Sequence, residues 1–202
     1  LRRRLNDELP ADILILRIDK APHRFHARHD AVSRSYLYQI SRRRTAFAKP
    51  FVWWIREPLD LGAMRRAAAA FAGRQDFAAF SDDDPDEKST VVVPERVELV
   101  EAGALVLVRV QGSHFLWKMV RRIVGVLAAV GRGEMTPEDA AQYLNPRHGY
   151  SPGVTPASLT APAAGLFLEK VLYAGDGGPG PIRPVIALDR RLVFCLLSSV
   201  SC

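Results

Sequence analysis

The sequence predicts an α+β protein whose antiparallel sheet carries its helices on one face. The prediction depends on an alternating strand pattern at residues 33–40, two long amphipathic helix patterns, and a β-hairpin pattern between those helices. Closed by a last strand pattern, the order is βαββαβ, which is that of ferredoxin-like folds. With 202 residues, of which 48% are hydrophobic, the chain can bury a sizeable core.

The first strands are predicted from apolar, β-branched and aromatic residues. Residues 12–19 contain Ile-Leu-Ile-Leu and predict one strand. Residues 33–40 alternate and predict a second, with Tyr36 and Tyr38 on the same face. Residues 51–55 predict a short third strand.

Helix limits are predicted from caps and breakers. One helix follows Asp60 as its cap and stops near Gly73. The next follows Ser113 as its predicted cap and ends at Gly131. A shorter helix begins after Thr136, with proline at its first helical position.

A hairpin and a closing strand complete the pattern. Residues 91–100 and 104–110 flank a Glu-Ala-Gly turn, and residues 166–173 form the last strand pattern. Because both helices are expected on one face, the other face of the sheet is expected to be open. Such open sheets often serve as RNA-binding platforms.

The charge of the chain favours a polyanionic partner. Lys and Arg total 28 against 22 Asp and Glu, which gives a formal net charge of +6 and a pI near 9.7. Arginines are concentrated in the first quarter of the chain, although a solvated basic face accounts for them equally well. No apolar run approaches the roughly 20 residues that span a bilayer, so no membrane partner is predicted.

Neither a disulfide framework nor a metal site is predicted. The two cysteines both lie in the last few residues, which fits a reducing cytoplasm. His23, His26 and His29 are spaced by three residues, but no cysteine or carboxylate cluster accompanies them. Residues 82–87 are acidic without the spacing of a calcium loop, so we expect a surface loop there.

Two segments combine apolar spacing with chemically active side chains. Residues 34–38 read Arg-Ser-Tyr-Leu-Tyr, and residues 112–125 mix cations into an apolar helix pattern. From the pattern alone, a core tyrosine is the more frequent role for Tyr36. A solvated arginine is similarly the more frequent role for Arg121.

Five motifs with fixed order and spacing are more specific than any single segment. They are Phe25-His-Ala-Arg28, Arg34-Ser-Tyr36-Leu-Tyr38, Asp76-Phe77 with Phe80, Phe115-Leu-Trp-Lys-Met-Val-Arg121-Arg-Ile-Val-Gly125, and Gly165-Leu-Phe-Leu. Together they resemble the TruA family of tRNA pseudouridine synthases over residues 5–173. The resemblance implies a cytoplasmic homodimer that isomerises uridine to pseudouridine in the anticodon stem-loop of tRNA, with neither cofactor nor metal.

The resemblance also implies roles for individual residues. Tyr36 would pack on the target base, and Arg121 would pair with the family's catalytic aspartate, which makes both candidate catalytic residues. Stacking of a base on an aromatic ring contributes about 1–3 kcal/mol, and a guanidinium lowers the pKa of a neighbouring carboxylate. The candidate RNA-binding residues are Arg34, His114, Lys118 and Arg122.

In the family, that aspartate belongs to a Gly-Arg-Thr-Asp segment, which does not occur in this sequence. We therefore expect a fragment: residues 1–32 as the remnant of an N-terminal catalytic half, residues 33–175 as the C-terminal α+β half, and residues 176–202 as an irregular tail. A non-catalytic RNA-binding domain is the alternative. A structural or protein-interaction module would instead lack salt-sensitive RNA affinity.

Overall fold

Seven strands occur in the computed structural model of the protein, which describes residues 1–82, 89–145 and 154–188. Five of them form the main sheet, and β3 and β4 form a separate two-stranded sheet. The strands are β1 (Ala31–Ser41), β2 (Trp53–Trp54), β3 (Gln75–Asp76), β4 (Val91–Val92), β5 (Pro94–Ala102), β6 (Leu105–Gly112) and β7 (Leu166–Tyr173).

The strand β1 is the centre of the main sheet. It pairs antiparallel with β6 on one side and with β7 on the other, and β6 pairs antiparallel with β5. The end of β1 also pairs in parallel with β2, so that Ser41 lies opposite Trp54. The order β5-β6-β1-β7 is that of a ferredoxin-like sheet, and the predicted α+β class is confirmed.

The described residues contain four α-helices, whose starts test the predicted caps. The carboxylate of Asp60 accepts the N–H of Ala63 at 2.9 Å, and Thr136 forms a capping box with Asp139, as predicted. The predicted Ser113 cap is wrong, because residues 113–118 form a loop before the helix begins. The helices are α1 (Arg2–Glu8), α2 (Leu61–Ala70), α3 (Met119–Gly131) and α4 (Pro137–Gln142).

Helices α2 and α3 bury one face of the sheet. Tyr38 and Ile40 of β1 join the main hydrophobic core, and Tyr36 packs against its border, so the predicted alternation of β1 is confirmed. All but one of the α3 residues are buried. The exception is Arg121, whereas the other charged residue of α3, Arg122, is held in a defined position by packing.

The opposite face of the sheet is not open, and the expectation of an open platform is wrong. Residues 182–188 contribute apolar side chains that pack against Leu37, Leu105 and Leu107. The backbone N–H of Val185 also donates to the side-chain oxygen of Gln39 at 2.7 Å. An RNA-binding surface must therefore be sought elsewhere.

Residues Leu1–Asp30 form a separate compact unit. The strand predicted at residues 12–19 is wrong, since no strand of the described chain pairs with it. The Asn6 side chain bonds the N–H of Ile15 at 2.8 Å and its carbonyl oxygen at 3.0 Å. One amide side chain thus replaces the partner strand at that residue, and the helix α1 that carries Asn6 was not predicted.

Among the described residues, no helix is both long and apolar enough to cross a membrane. No group of three or more metal-binding side chains occurs among them. The ring Nδ1 of His26 instead accepts the backbone N–H groups of Arg28 and His29. Most of the acidic run and both cysteines lie outside the described residues.

Candidate active site

Tyr36 lies in β1 on the same face as the helices and is only partly buried. Its ring meets the ring of Phe115 edge to face, with centroids 5.0 Å apart and planes at 85°. The pairing between β1 and β7 shifts register between Ser35 and Tyr36, an irregularity often found beside active sites. The Phe115 contact fixes the orientation of the Tyr36 ring.

Arg121 lies in the first turn of α3, and its guanidinium is held from one side. Its Nε donates to the carbonyl oxygen of Ala161 at 2.7 Å. The backbone N–H of Ala161 returns a bond to the carbonyl oxygen of Arg121 at 3.1 Å. Among the described residues, the two terminal nitrogens of Arg121 have no hydrogen-bond partner, so they remain available to an anion.

A glycine makes this close approach possible. A side chain at Gly125 would place its Cβ atom 1.7 Å from the carbonyl oxygen of Leu159. Residues 159–161 therefore lie directly against α3 only because residue 125 has no side chain. This contact explains the Gly125 that ends the helix motif.

Tyr38 lies beside the same segment. Its hydroxyl donates to the carbonyl oxygen of Pro162 at 2.8 Å. Burial raises the pKa of Tyr38 well above its usual value, and the charge of Arg121 opposes that rise. The Tyr38 hydroxyl thus stays protonated near neutral pH, and the positive charge of Arg121 lies near it.

A second glycine, Gly165, lies beside Tyr38 and adopts a backbone conformation that residues with a side chain rarely adopt. Gly165 adopts φ +95°, and a Cβ atom there would lie 2.7 Å from the carbonyl oxygen of Gln39. Only glycine accommodates both this conformation and this contact. The glycine that begins the Gly-Leu-Phe-Leu motif therefore fixes the start of β7 against β1.

The loop of residues 113–118 contains His114 and accepts a hydrogen bond from Arg34 of β1, so it brings together two candidate RNA-binding residues. Arg34 donates from Nη1 to the carbonyl oxygen of Ser113, and the Ser113 hydroxyl lies 3.1 Å from Nδ1 of His114. His114 is exposed to solvent. Arg34 and His114 therefore lie at the same end of the sheet, beside the Phe115 that contacts Tyr36.

The other two candidates, Lys118 and Arg122, share one carboxylate. Lys118 adopts a left-handed conformation with φ 61°, and its Nζ lies 3.0 Å from a carboxylate oxygen of Asp82. Arg122 pairs with the other oxygen of Asp82, although only 3% of its side chain is exposed. Both cations lower the pKa of Asp82. An RNA phosphate could reach Arg122 only if Asp82 moved away.

The structure thus places Tyr36 and Arg121 on one face of the sheet without direct contact between them. Tyr36 and Tyr38 are two residues apart on that face, about 7 Å along the strand, and Arg121 lies near Tyr38. The site therefore combines an aromatic surface with a positioned cation.

Sequence reasoning missed three contributors to this site. Asp82 was assigned to an acidic loop, whereas it pairs with Arg122 of α3 and with Lys118, the N-cap residue of that helix. The carbonyl groups of Ala161 and Pro162 carry no side-chain signal at all. Only the glycine at residue 125, in the middle of a helix pattern, indicates a close backbone approach.

Comparison with known proteins identifies the family of this chain. Residues 67–174 match a family described as tRNA pseudouridine synthase. The tRNA pseudouridine synthase A of Geobacter sulfurreducens is 40% identical over 171 residues, which cover 84% of this chain and 68% of that protein. The proteins of the same name from Syntrophotalea carbinolica and Thermotoga maritima are 42% and 37% identical over 176 residues. Those alignments cover 86% of this chain and 68% and 69% of the two relatives.

An α+β fold that carries an aromatic ring and a guanidinium bonded to a main-chain carbonyl group is consistent with the matched class of isomerases, the pseudouridine synthases. The chain belongs to the tRNA pseudouridine synthase family, as the TruA resemblance predicted.

Proposed function

We propose that this protein isomerises uridine to pseudouridine in the anticodon stem-loop of tRNA. The observation that carries the proposal is the geometry of Arg121, whose Nε is held by Ala161 while its terminal nitrogens have no partner among the described residues. A guanidinium held in this way can orient a carboxylate through a planar pair of hydrogen bonds.

In the proposed reaction, the carboxylate is the family's aspartate and Arg121 keeps it ionised and oriented. The bond between ribose C1′ and uracil N1 breaks, the base rotates, and a bond from C1′ to C5 forms. The C5 proton is lost and N1 gains a proton, so the product is an isomer of the substrate. The balance requires no cofactor and no redox partner.

Tyr36 is proposed to hold the target base during this rotation. Its partly exposed ring, oriented by Phe115, supports a stacking role. A base that leaves its stack costs a few kcal/mol, and stacking on an aromatic ring offsets about 1–3 kcal/mol of that cost. The Tyr36 hydroxyl is proposed to assist proton transfer at the base.

Arg34, His114 and Lys118 are proposed to contact the RNA backbone around the target. They belong to or adjoin the loop that carries Phe115, and His114 is exposed. Arg122 is proposed to belong to the same RNA-binding surface. It shares the carboxylate of Asp82 with Lys118. A cytoplasmic homodimer is proposed from the family resemblance, with residues 1–32, 33–175 and 176–202 as its three segments.

A non-catalytic RNA-binding domain is the second candidate, because no Gly-Arg-Thr-Asp segment occurs in the sequence. Release of tritium from tRNA labelled at uridine C5 separates the two. We expect release by a form of the enzyme that carries the family's Gly-Arg-Thr-Asp segment, and its loss when that form has Arg121→Met. Tight tRNA binding without any tritium release would favour the non-catalytic domain.

A further inference from the structure

The segment of residues 42–56, here called the aromatic–basic segment, exposes three aromatic rings outside the candidate site. Phe47 is 89% exposed, Trp54 41% and Phe51 40%. A single exposed aromatic residue is ordinary, but a group of them on one short segment commonly marks a binding surface.

The same segment is strongly basic. It contains four arginines and one lysine and no Asp or Glu. The guanidinium of Arg44 lies over the ring of Trp54, with its carbon 5.5 Å from the ring centroid. Exposed cations interleaved with exposed rings are the side chains that bind single-stranded nucleic acid, through phosphate pairing and base stacking.

The backbone of this segment is anchored, so its rings are presented in a fixed arrangement. Ala48 and Val52 are buried in the cluster on the second face of the sheet. The Gln39 side-chain amide donates to the carbonyl oxygen of Phe51 at 3.0 Å. The N–H of Ile55 donates to the carbonyl oxygen of Ser41 at 3.0 Å. Little ordering entropy would be lost when a ligand binds to such a surface.

The position of the segment suits a second contact with the same substrate. Trp54 lies opposite Ser41 in the parallel pair. Ser41 is five residues along β1 from Tyr36, which corresponds to about 17 Å. A ligand that reaches from Tyr36 to Trp54 must therefore be a macromolecule rather than a single nucleotide.

We propose that the aromatic–basic segment binds tRNA at a second point, away from the nucleotide held by Tyr36. Arg44, Lys49 and Arg56 contact phosphates, and the rings of Phe47 and Trp54 stack on unpaired bases. The proposal rests on the proposed function, which makes tRNA the substrate. Charge complementarity favours RNA over an apolar protein partner, which would leave these cations without a role.

The first test replaces the rings. Phe47→Ser combined with Trp54→Ser should weaken tRNA binding by the full chain at least about thirtyfold in fluorescence anisotropy, because stacking on two rings is lost. Val100→Ser is the matched control, since Val100 is 37% exposed on β5, outside both the segment and the candidate site. We expect that control to bind tRNA as the unmodified chain does.

The second test replaces the charges and measures the salt dependence of binding. Arg44→Gln with Arg56→Gln should reduce the slope of log K against log salt by about two, one for each lost phosphate contact. Arg66→Gln with Arg74→Gln lowers the net charge equally at exposed positions elsewhere. This control pair should leave the slope nearly unchanged.

A third test locates the contact on the RNA. Benzoylphenylalanine at residue 47 should crosslink to tRNA nucleotides different from those reached when it replaces Tyr36. Crosslinks from both positions to the same nucleotide would overturn a second point of contact.

The outcomes distinguish this inference from the proposed function. If the unmodified chain shows no salt-sensitive tRNA affinity, the proposed function fails first. If Tyr36→Leu weakens binding while both segment variants bind within twofold of the unmodified chain, only the second contact is overturned. A changed sedimentation coefficient with unchanged tRNA affinity would instead assign the segment to contacts between copies of the chain. If the serine variant does not fold, the arginine pair, which lies at exposed positions, decides the question.

Discussion

Arg121 and Ala161 are joined in both directions, because each donates a hydrogen bond to a main-chain carbonyl oxygen of the other residue. One bond comes from the Arg121 side chain and the other from the Ala161 backbone. The guanidinium is therefore held in place jointly by helix α3, which carries it, and by residues 159–161, which accept its hydrogen bond. A displacement of either one would move the cation relative to Tyr36.

Arg121→Met should abolish most activity of a form of the enzyme that carries the family's Gly-Arg-Thr-Asp segment, while the fold survives. Methionine is a good helix former of similar length, and the lost hydrogen bond is worth about 1 kcal/mol. Tritium release and thermal unfolding, measured on the same preparation, test this prediction. Arg121→Lys keeps the charge without the planar fork and should restore little activity. Loss of the folded state in Arg121→Met would make Arg121 primarily structural.

Tyr36→Phe should keep tRNA affinity within a few fold and sharply lower the single-turnover rate. The ring still stacks on a base and on Phe115, whereas the hydroxyl is lost. Tyr36→Leu should reduce both affinity and rate, since the aromatic face is removed. A wild-type single-turnover rate in Tyr36→Phe would leave the residue only a stacking role.

Gly125→Ala should destabilise the fold and lower activity. The new methyl group would meet the Leu159 carbonyl oxygen at 1.7 Å, and overpacking of this kind costs about 1–3 kcal/mol. Alanine's better helix propensity returns at most about 1 kcal/mol, so the clash prevails. Urea denaturation measures the net effect. Gly177→Ala is the control, because a Cβ atom there has no neighbour within 4 Å; equal stability of the two variants would refute the close contact.

Asp82→Asn should remove part of the acid sensitivity of the fold. Arg122 and Lys118 hold the pKa of Asp82 below its usual value. A lowered folded-state pKa contributes stability above the unfolded pKa of about 3.9, and that contribution is lost as the pH falls. The variant should therefore melt at a lower temperature than the unmodified chain at pH 7, and this difference should shrink toward pH 3. Asp19→Asn, which breaks an exposed ion pair with Arg17, is the control. A constant difference across the pH range would show that the charge of Asp82 is not involved.

The 202-residue chain by itself should bind tRNA weakly and form no pseudouridine. The exposed cations supply salt-sensitive affinity, but breaking the glycosidic bond requires a positioned carboxylate. Tritium release by the purified chain is compared side by side with release by a form of the enzyme that carries the family's Gly-Arg-Thr-Asp segment. Clear turnover by the chain alone would mean that one of its own carboxylates, such as Asp30, acts as the nucleophile.

The sequence predicted the sheet well because its signals were local. The alternation in β1, the Asp60 and Thr136 caps, and the turn at Gly103 all arise within a few residues. The strand at residues 12–19 failed because strand formation needs a partner, and Asn6 bonds the backbone of Ile15 instead. Composition alone does not reveal that a side chain takes the place of a partner strand at Ile15.

The sequence predicted the candidate site only at the positions where motif side chains form it. Tyr36 and Arg121 belong to motifs, but their partners are a ring in a loop and a main-chain carbonyl group. The covering of the second sheet face by residues 182–188 depends on contacts with strands far away in the chain. Such long-range packing leaves no periodic pattern in the segment itself.

The acceptor that holds Arg121 has a genetic consequence. Every amino acid carries a carbonyl oxygen, so no codon change at residue 161 can delete the atom to which Nε of Arg121 donates. The interaction can be lost by mutation only through changes that alter the path of the backbone or remove the arginine. Substitutions at residue 125 therefore threaten the interaction more than polar substitutions at residue 161, although residue 125 forms no part of the hydrogen bond.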